Sequence, residues 1–183
     1  MRIIAGTYRG RKISATRDLS IRPTTDRVKQ TVFDILGNRV PFEGIDVLDL
    51  FAGSGSLGLE AISRGAGSAT FIEKSPVSLK ILEKNIRSLG CEDRVSVHLA
   101  DVFWYLKHPH KVYDLVFADP PFRLETIGTL PSAIAASGAI RKGTYVVMEH
   151  GRDSEVAVPE ASFETIRKTF GHTVVLILKV LQA

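Results

Sequence analysis

From residue 46 to residue 149, short apolar runs of four to seven residues alternate with stretches of helical periodicity, and this alternation restricts the fold more than any other feature. The runs Asp46 to Leu50, Ala69 to Ile72, Val95 to Leu99, Val112 to Ala118 and Thr144 to Glu149 are rich in branched and aromatic residues and too short for helices, so they read as strands. Between them, Ser56 to Arg64, Pro76 to Ser88, Val102 to Lys107 and Leu124 to Ala136 carry apolar residues at helical spacing. A strand that returns through a helix lies parallel to its predecessor, so the expected fold is α/β, a mostly parallel, Rossmann-like sheet with helices on both faces. The tail breaks the rhythm. Phe163 to Thr169 and Thr173 to Leu181 are joined by only Phe170-Gly171-His172, and so read as an antiparallel hairpin closing the sheet edge.

Ahead of this domain, residues 2 to 13 alternate apolar and basic residues around Gly6 and Gly10, the pattern of a small hairpin. Val28, Val32, Phe33, Ile35 and Leu36 then mark an amphipathic helix, with Thr24 or Thr25 as N-cap and Gly37 as its stop. The expected organisation is a basic N-terminal extension, residues 1–40, on a main domain, residues 41–183. Charge divides the same way: residues 1–40 carry a net charge of +6 and the other 143 residues −2. Such a segment suits a polyanion such as RNA, because phosphate contacts supply most sequence-independent affinity; a solvated surface is the plainer reading of a basic run alone. The first residues lack the apolar core of a signal peptide, no apolar run reaches membrane-spanning length, and the single Cys91 cannot form an internal disulfide, so a cytoplasmic protein is expected.

Two places carry chemistry. The strand ending at Ala118 runs into Asp119-Pro120-Pro121-Phe122. Prolines remove backbone donors, which leaves carbonyls to point at a ligand beside a carboxylate that accepts hydrogen bonds and a ring that can stack. That set suits a planar amine, although Pro-Pro in a turn is ordinary by itself. The first strand ends in Asp49-Leu50-Phe51-Ala52-Gly53-Ser54-Gly55-Ser56-Leu57-Gly58, a GxGxxG loop opening a helix, and the next strand ends at Glu73. A dinucleotide site fits that spacing. Asp49 favours a different ligand, since a pyrophosphate avoids a carboxylate whereas the ammonium and sulfonium of S-adenosylmethionine are attracted to one. Glu73 would accept from ribose hydroxyls and Asp101 from an adenine amine; helix N-capping is an equally good role for Asp101.

With Asp49-Leu-Phe-Ala-Gly-Ser-Gly-Ser-Leu-Gly-Leu-Glu60, Phe71-Ile-Glu-Lys74 and Asp119-Pro-Pro-Phe122 in this order, the chain resembles class I S-adenosylmethionine-dependent amino-methyltransferases. Arg2-Ile-Ile-Ala-Gly6, Arg9-Gly-Arg-Lys12 and Arg22-Pro-Thr-Thr-Asp-Arg-Val28 narrow the resemblance to the RsmD family, bacterial enzymes that methylate the exocyclic N2 amine of a guanine in small-subunit (16S) ribosomal RNA. The likeness runs from Arg2 to about Glu149. It implies a seven-stranded methyltransferase fold and S-adenosylmethionine as cofactor, bound by Asp49, Phe51, Ala52, Gly53, Ser54, Gly55, Glu73, Lys74, Asp101 and Asp119. It implies catalysis at Asp119, Pro120, Pro121 and Phe122, RNA contacts from Arg9, Arg11, Lys12, Arg22 and Arg27, and no metal. The expected form is a monomer acting on small-subunit RNA within a ribosomal subunit. The rival readings are an amino-methyltransferase for DNA adenine, DNA cytosine or a protein glutamine, and a nicotinamide-dependent oxidoreductase, which leaves Asp49 and the Asp-Pro-Pro-Phe turn unexplained.

Other residues read as structural. His108-Pro109-His110 lacks further ligands at metal spacing, Cys91 has no nearby base, Trp104 and Tyr105 are expected to pack a helix on the sheet, and Glu149-His150 is ordinary strand-end polarity.

Overall fold

The computed structural model describes residues 1–15, 26–121 and 124–182. Its elements run α1 (Asp26–Gly37), β1 (Asp46–Leu50), α2 (Ser56–Ser63), β2 (Ser68–Glu73), α3 (Pro76–Leu89), β3 (Val95–Leu99), α4 (Val102–Lys107), β4 (Leu115–Ala118), α5 (Leu130–Ala135), β5 (Tyr145–Gly151), β6 (Phe163–Phe170) and β7 (Thr173–Val180). The strands form one seven-stranded sheet in the order β3-β2-β1-β4-β5-β7-β6. The first five are parallel, and β7 pairs antiparallel with both β5 and β6. This is the Rossmann-like fold with a C-terminal antiparallel pair that the alternation predicts.

Strand residues point to opposite faces in turn, and both faces are buried. Val47, Phe117, Val147 and Val175 share one core with Ile3, Val28, Val32, Phe33 and Leu36 from the N-terminal region. Leu48, Val116, Met148 and Leu176 share the other with Tyr105 and Leu106 of α4 and Leu130 and Ile134 of α5. The expected hairpin at residues 2–13 is an isolated antiparallel bridge between Arg2 and Lys12, supported by Ile3 N–H to Arg11 carbonyl (3.0 Å) and Ile13 N–H to Met1 carbonyl (3.1 Å). Thr24 and Thr25, expected to cap α1, lie outside the described residues.

Two elements differ from the reading. β4 begins at Leu115 rather than Val112, because Val112 is exposed and the Tyr113 N–H turns away to donate to the Ala139 carbonyl (2.8 Å). The helix expected over Leu124 to Ala136 is split into a 3-10 turn, Glu125–Thr129, and a short α-helix with Pro131 in its first turn. Proline cannot donate there and suits the start of a helix, so it divides the two.

Candidate active site

β1 and β4 are neighbours, but the chain leaves β1 toward β2 on one side and β4 toward β5 on the other. Open α/β sheets bind ligands at the carboxyl ends of strands where the order reverses in this way. In the register Asp49 lies level with Phe71 and Phe117, and Glu73, the last residue of β2, and Asp119, the residue after β4, each follow two positions later and so share that face. Three acids from three strands thus converge around the glycine loop.

Asp49 is 2 % exposed, and its Oδ2 accepts from the Gly58 N–H at 2.9 Å. A side chain on Gly58 would overlap the Phe71 ring and lie 3.1 Å from that oxygen, so the approach of α2 to β1 and β2 requires glycine there. Glu73 holds the loop from the other side: its Oε2 accepts from Gly53 N–H (2.8 Å) and its Oε1 from Ser75 N–H (2.7 Å). Phe51 and Gly53 adopt left-handed backbone, φ 62° and 55°. A Cβ on Gly53 would meet nothing nearer than the Phe51 carbonyl at 3.9 Å, so this side of the loop backbone is open to a ligand. Ala52 and Ser54 are buried, and the Ser54 carbonyl accepts from Asn85 Nδ2 of α3 at 2.9 Å.

Burial pushes the Asp49 carboxyl well above the usual range; the Gly58 N–H opposes this, and the negative charges of Asp119 and Glu73 add to it. A cationic ligand would relieve the repulsion among the three acids, whereas a pyrophosphate would increase it. This set of acceptors suits the ammonium, sulfonium and ribose hydroxyls of S-adenosylmethionine, toward which Asp49 and Glu73 could act as acceptors.

Across the crevice, Asp119 is half-buried, Pro120 buried and Pro121 half-buried, with the Pro121 carbonyl accepting from Leu124 N–H at 2.9 Å. Phe122 and Arg22 lie outside the described residues. Asp101 is exposed and caps α4, its Oδ1 accepting from Phe103 N–H (2.9 Å) and Trp104 N–H (3.1 Å). Lys74 is exposed, as are Arg9, Lys12 and Arg27. Arg11 donates to the Ser88 and Leu89 carbonyls at the end of α3, so it caps a helix. Trp104 corrects the reading: it is 55 % exposed, because α4 buries Val102, Tyr105 and Leu106 on one face and Trp104 lies opposite.

Sequence reasoning missed Glu60. Fully buried on α2, it accepts from Ile4 N–H (2.8 Å), Ala5 N–H (3.0 Å) and Arg64 Nε (2.9 Å) and pairs with Lys29, fixing the N-terminal segment to the helix that begins at the glycine loop. An acid inside the apolar run Leu57 to Ile62 was the available signal.

A family profile described as "Conserved hypothetical protein 95" matches residues 1–179. Ribosomal RNA small subunit methyltransferase D of Haemophilus influenzae is 36 % identical over 164 residues, covering 87 % of this chain and 83 % of that protein. Its Escherichia coli namesake is 41 % identical over 123 residues, 67 % of this chain and 61 % of that protein. The solved structure of Escherichia coli yhhF superposes with a TM-score of 0.88 at 30 % identity, covering 100 % of this chain and 99 % of that one. With sequence and fold matched over nearly its whole length, the chain belongs to this family, the RsmD family of methyltransferases.

Proposed function

We propose that the protein transfers a methyl group from S-adenosylmethionine to the N2 amine of a guanine in small-subunit ribosomal RNA. The observation that carries this reading is the convergence of Asp49, Glu73 and Asp119 at the β1–β4 crevice, beside an acid-Pro-Pro turn, in a chain whose relatives are named small-subunit RNA methyltransferases. Asp49, Glu73 and the backbone of Phe51 to Gly55 hold the cofactor, with Asp101 Oδ2 available to the adenine amine. When bound, S-adenosylmethionine supplies an electrophilic methyl group on a sulfonium.

The remaining steps belong to this chain. The target base leaves its stack at a cost of a few kcal/mol, less for a loop nucleotide. Phe122 recovers roughly 1–3 kcal/mol by stacking. The amine of guanine is a poor nucleophile because its lone pair is delocalised into the ring. By accepting from its two N–H groups, Asp119 and the Pro120 carbonyl hold it in place and favour the pyramidal form that exposes the lone pair. The Asp119 charge also stabilises the positive charge that grows on the nitrogen. Much of the rate then comes from positioning.

The test is incubation of the protein and labelled S-adenosylmethionine with small subunits from cells lacking it, followed by mapping. Label on one guanine N2 is the expected result. Label on adenine, or on protein alone, would overturn the reading.

A further inference from the structure

By sequence position, the positive charge is concentrated in residues 1–40, but folding adds a second contribution from α3. Residues 74–90 carry four cations and one acid. The apolar face of α3 is committed to the core through Leu82, Ile86 and Leu89, which fixes the direction of the opposite face. Lys80, Lys84 and Arg87 all lie on that face, exposed and at helical spacing. Among the described residues none of the three forms an ion pair, and even Glu83 and Arg87, spaced i to i+4, do not join. The helix is fixed at both ends, by the Ser75 hydroxyl accepting from Ser78 N–H and by Gly90 in left-handed conformation, so these cations stand on a rigid support.

The direction of α3 gives the row a destination. The helix starts three residues after Glu73, at the site end of the sheet, and runs back for about 20 Å at 1.5 Å per residue. At its far end Arg11 is anchored on the Ser88 and Leu89 carbonyls, bringing the exposed loop that carries Arg9 and Lys12 against the helix. Higher up, Ser14 and Asn85 exchange hydrogen bonds of 2.8 and 2.9 Å, so the N-terminal segment follows α3 back toward the glycine loop.

We infer that the outer face of α3, through Lys80, Lys84 and Arg87, forms with the Arg9–Lys12 loop a continuous phosphate track that carries RNA backbone away from the reaction centre. Lys80 and Lys84 are about 6 Å apart along the axis and Lys84 and Arg87 about 4.5 Å, so flexible side chains meet successive phosphates. This inference rests on the proposed action on ribosomal RNA, and it makes recognition depend on nucleotides flanking the target.

The test compares wild type with the triple variant Lys80→Gln, Lys84→Gln, Arg87→Gln on two RNAs, one with long flanks and one hairpin limited to the target loop. Unchanged binding of S-adenosylhomocysteine verifies that the variant is folded. On the long RNA the slope of log affinity against log salt should fall by about 2, at roughly 0.7 per lost single-strand contact, with turnover at saturating RNA unchanged. On the hairpin the two proteins should bind alike. Equal slopes on the long RNA would overturn the track, and so would an equal loss on both RNAs, which indicates diffuse charge. A wild type that does not methylate ribosomal RNA at all would instead sink the functional reading.

Discussion

Lys29 and Glu60 form an ion pair of 3.5 Å with side chains 1 % and 0 % exposed, sealed between α1 and α2. Burial lowers the Lys29 pKa, and the charge of Glu60 opposes that shift. The partners are unequal: Lys29 also donates to the Arg2 carbonyl and Ser56 hydroxyl, whereas Glu60 in addition satisfies two backbone N–H groups and Arg64.

Removing the acid should therefore cost more than removing the base. Glu60→Leu strands a buried ammonium and two N–H groups and is expected to lose about 3–5 kcal/mol. Lys29→Met leaves Glu60 three donors and should lose distinctly less. Urea midpoints measure both, and equal losses would contradict the asymmetry.

Under the proposed function, Asp49 is expected to couple cofactor binding to pH. Its carboxyl titrates well above the usual range, through burial first, so the folded protein holds a proton that the unfolded chain has already released. Stability of the ligand-free protein then falls as pH rises from the ordinary carboxylate value toward the raised one. A cationic ligand favours the ionised form, so its binding releases protons and strengthens with pH over the same window. Calorimetry in buffers of different ionisation enthalpy detects that release, and Asp49→Asn should abolish it.

Gly58→Ala should destabilise by about 1–3 kcal/mol, the range for overpacking a filled core, because the new methyl overlaps the Phe71 ring. Gly37→Ala makes a fair comparison, since nothing lies within 4 Å of its Cβ position and its φ is not positive. Thermal unfolding of the pair separates close packing from a general cost of adding a methyl group.

Asp119→Ala should lower turnover by on the order of 10²-fold or more, the scale of losing one well-placed hydrogen-bonding group in a reaction centre, with S-adenosylhomocysteine affinity nearly intact. Loss of both together would point to misfolding. For Phe122, alanine should impair turnover more than tyrosine does, and equal effects would remove stacking from the mechanism.

The sheet was legible because strands buried on both faces are runs of apolar residues bounded by helical spacing. β3 and α4 fall on the expected residues, while β4 is shorter than its apolar run because Tyr113 bonds to Ala139 instead of the sheet. The glycine loop and the acids that end β1, β2 and β4 were also legible, since strand ends can be placed from sequence. What could not be read depended on contacts between distant residues. Glu60 finds Ile4 and Lys29 only once α2 and the N-terminal segment have packed, and Arg11 meets the end of α3 across 77 positions. Trp104 was misplaced for a local reason: a six-residue helix has one narrow buried face, and an aromatic ring two positions from Val102 falls outside it.

The strand order has a consequence for synthesis. β7 follows β6 in the chain yet lies between β6 and β5, so β6 cannot join the sheet before β7 has been made. Until then β5 presents an unpaired edge of apolar residues, Val146 to Met148, of the kind that invites pairing with another chain. A nascent chain halted at residue 172 would already carry the glycine loop and the acids of β1, β2 and the turn after β4 but its sheet would be unsealed, so premature termination is expected to yield aggregates rather than a shortened folded protein.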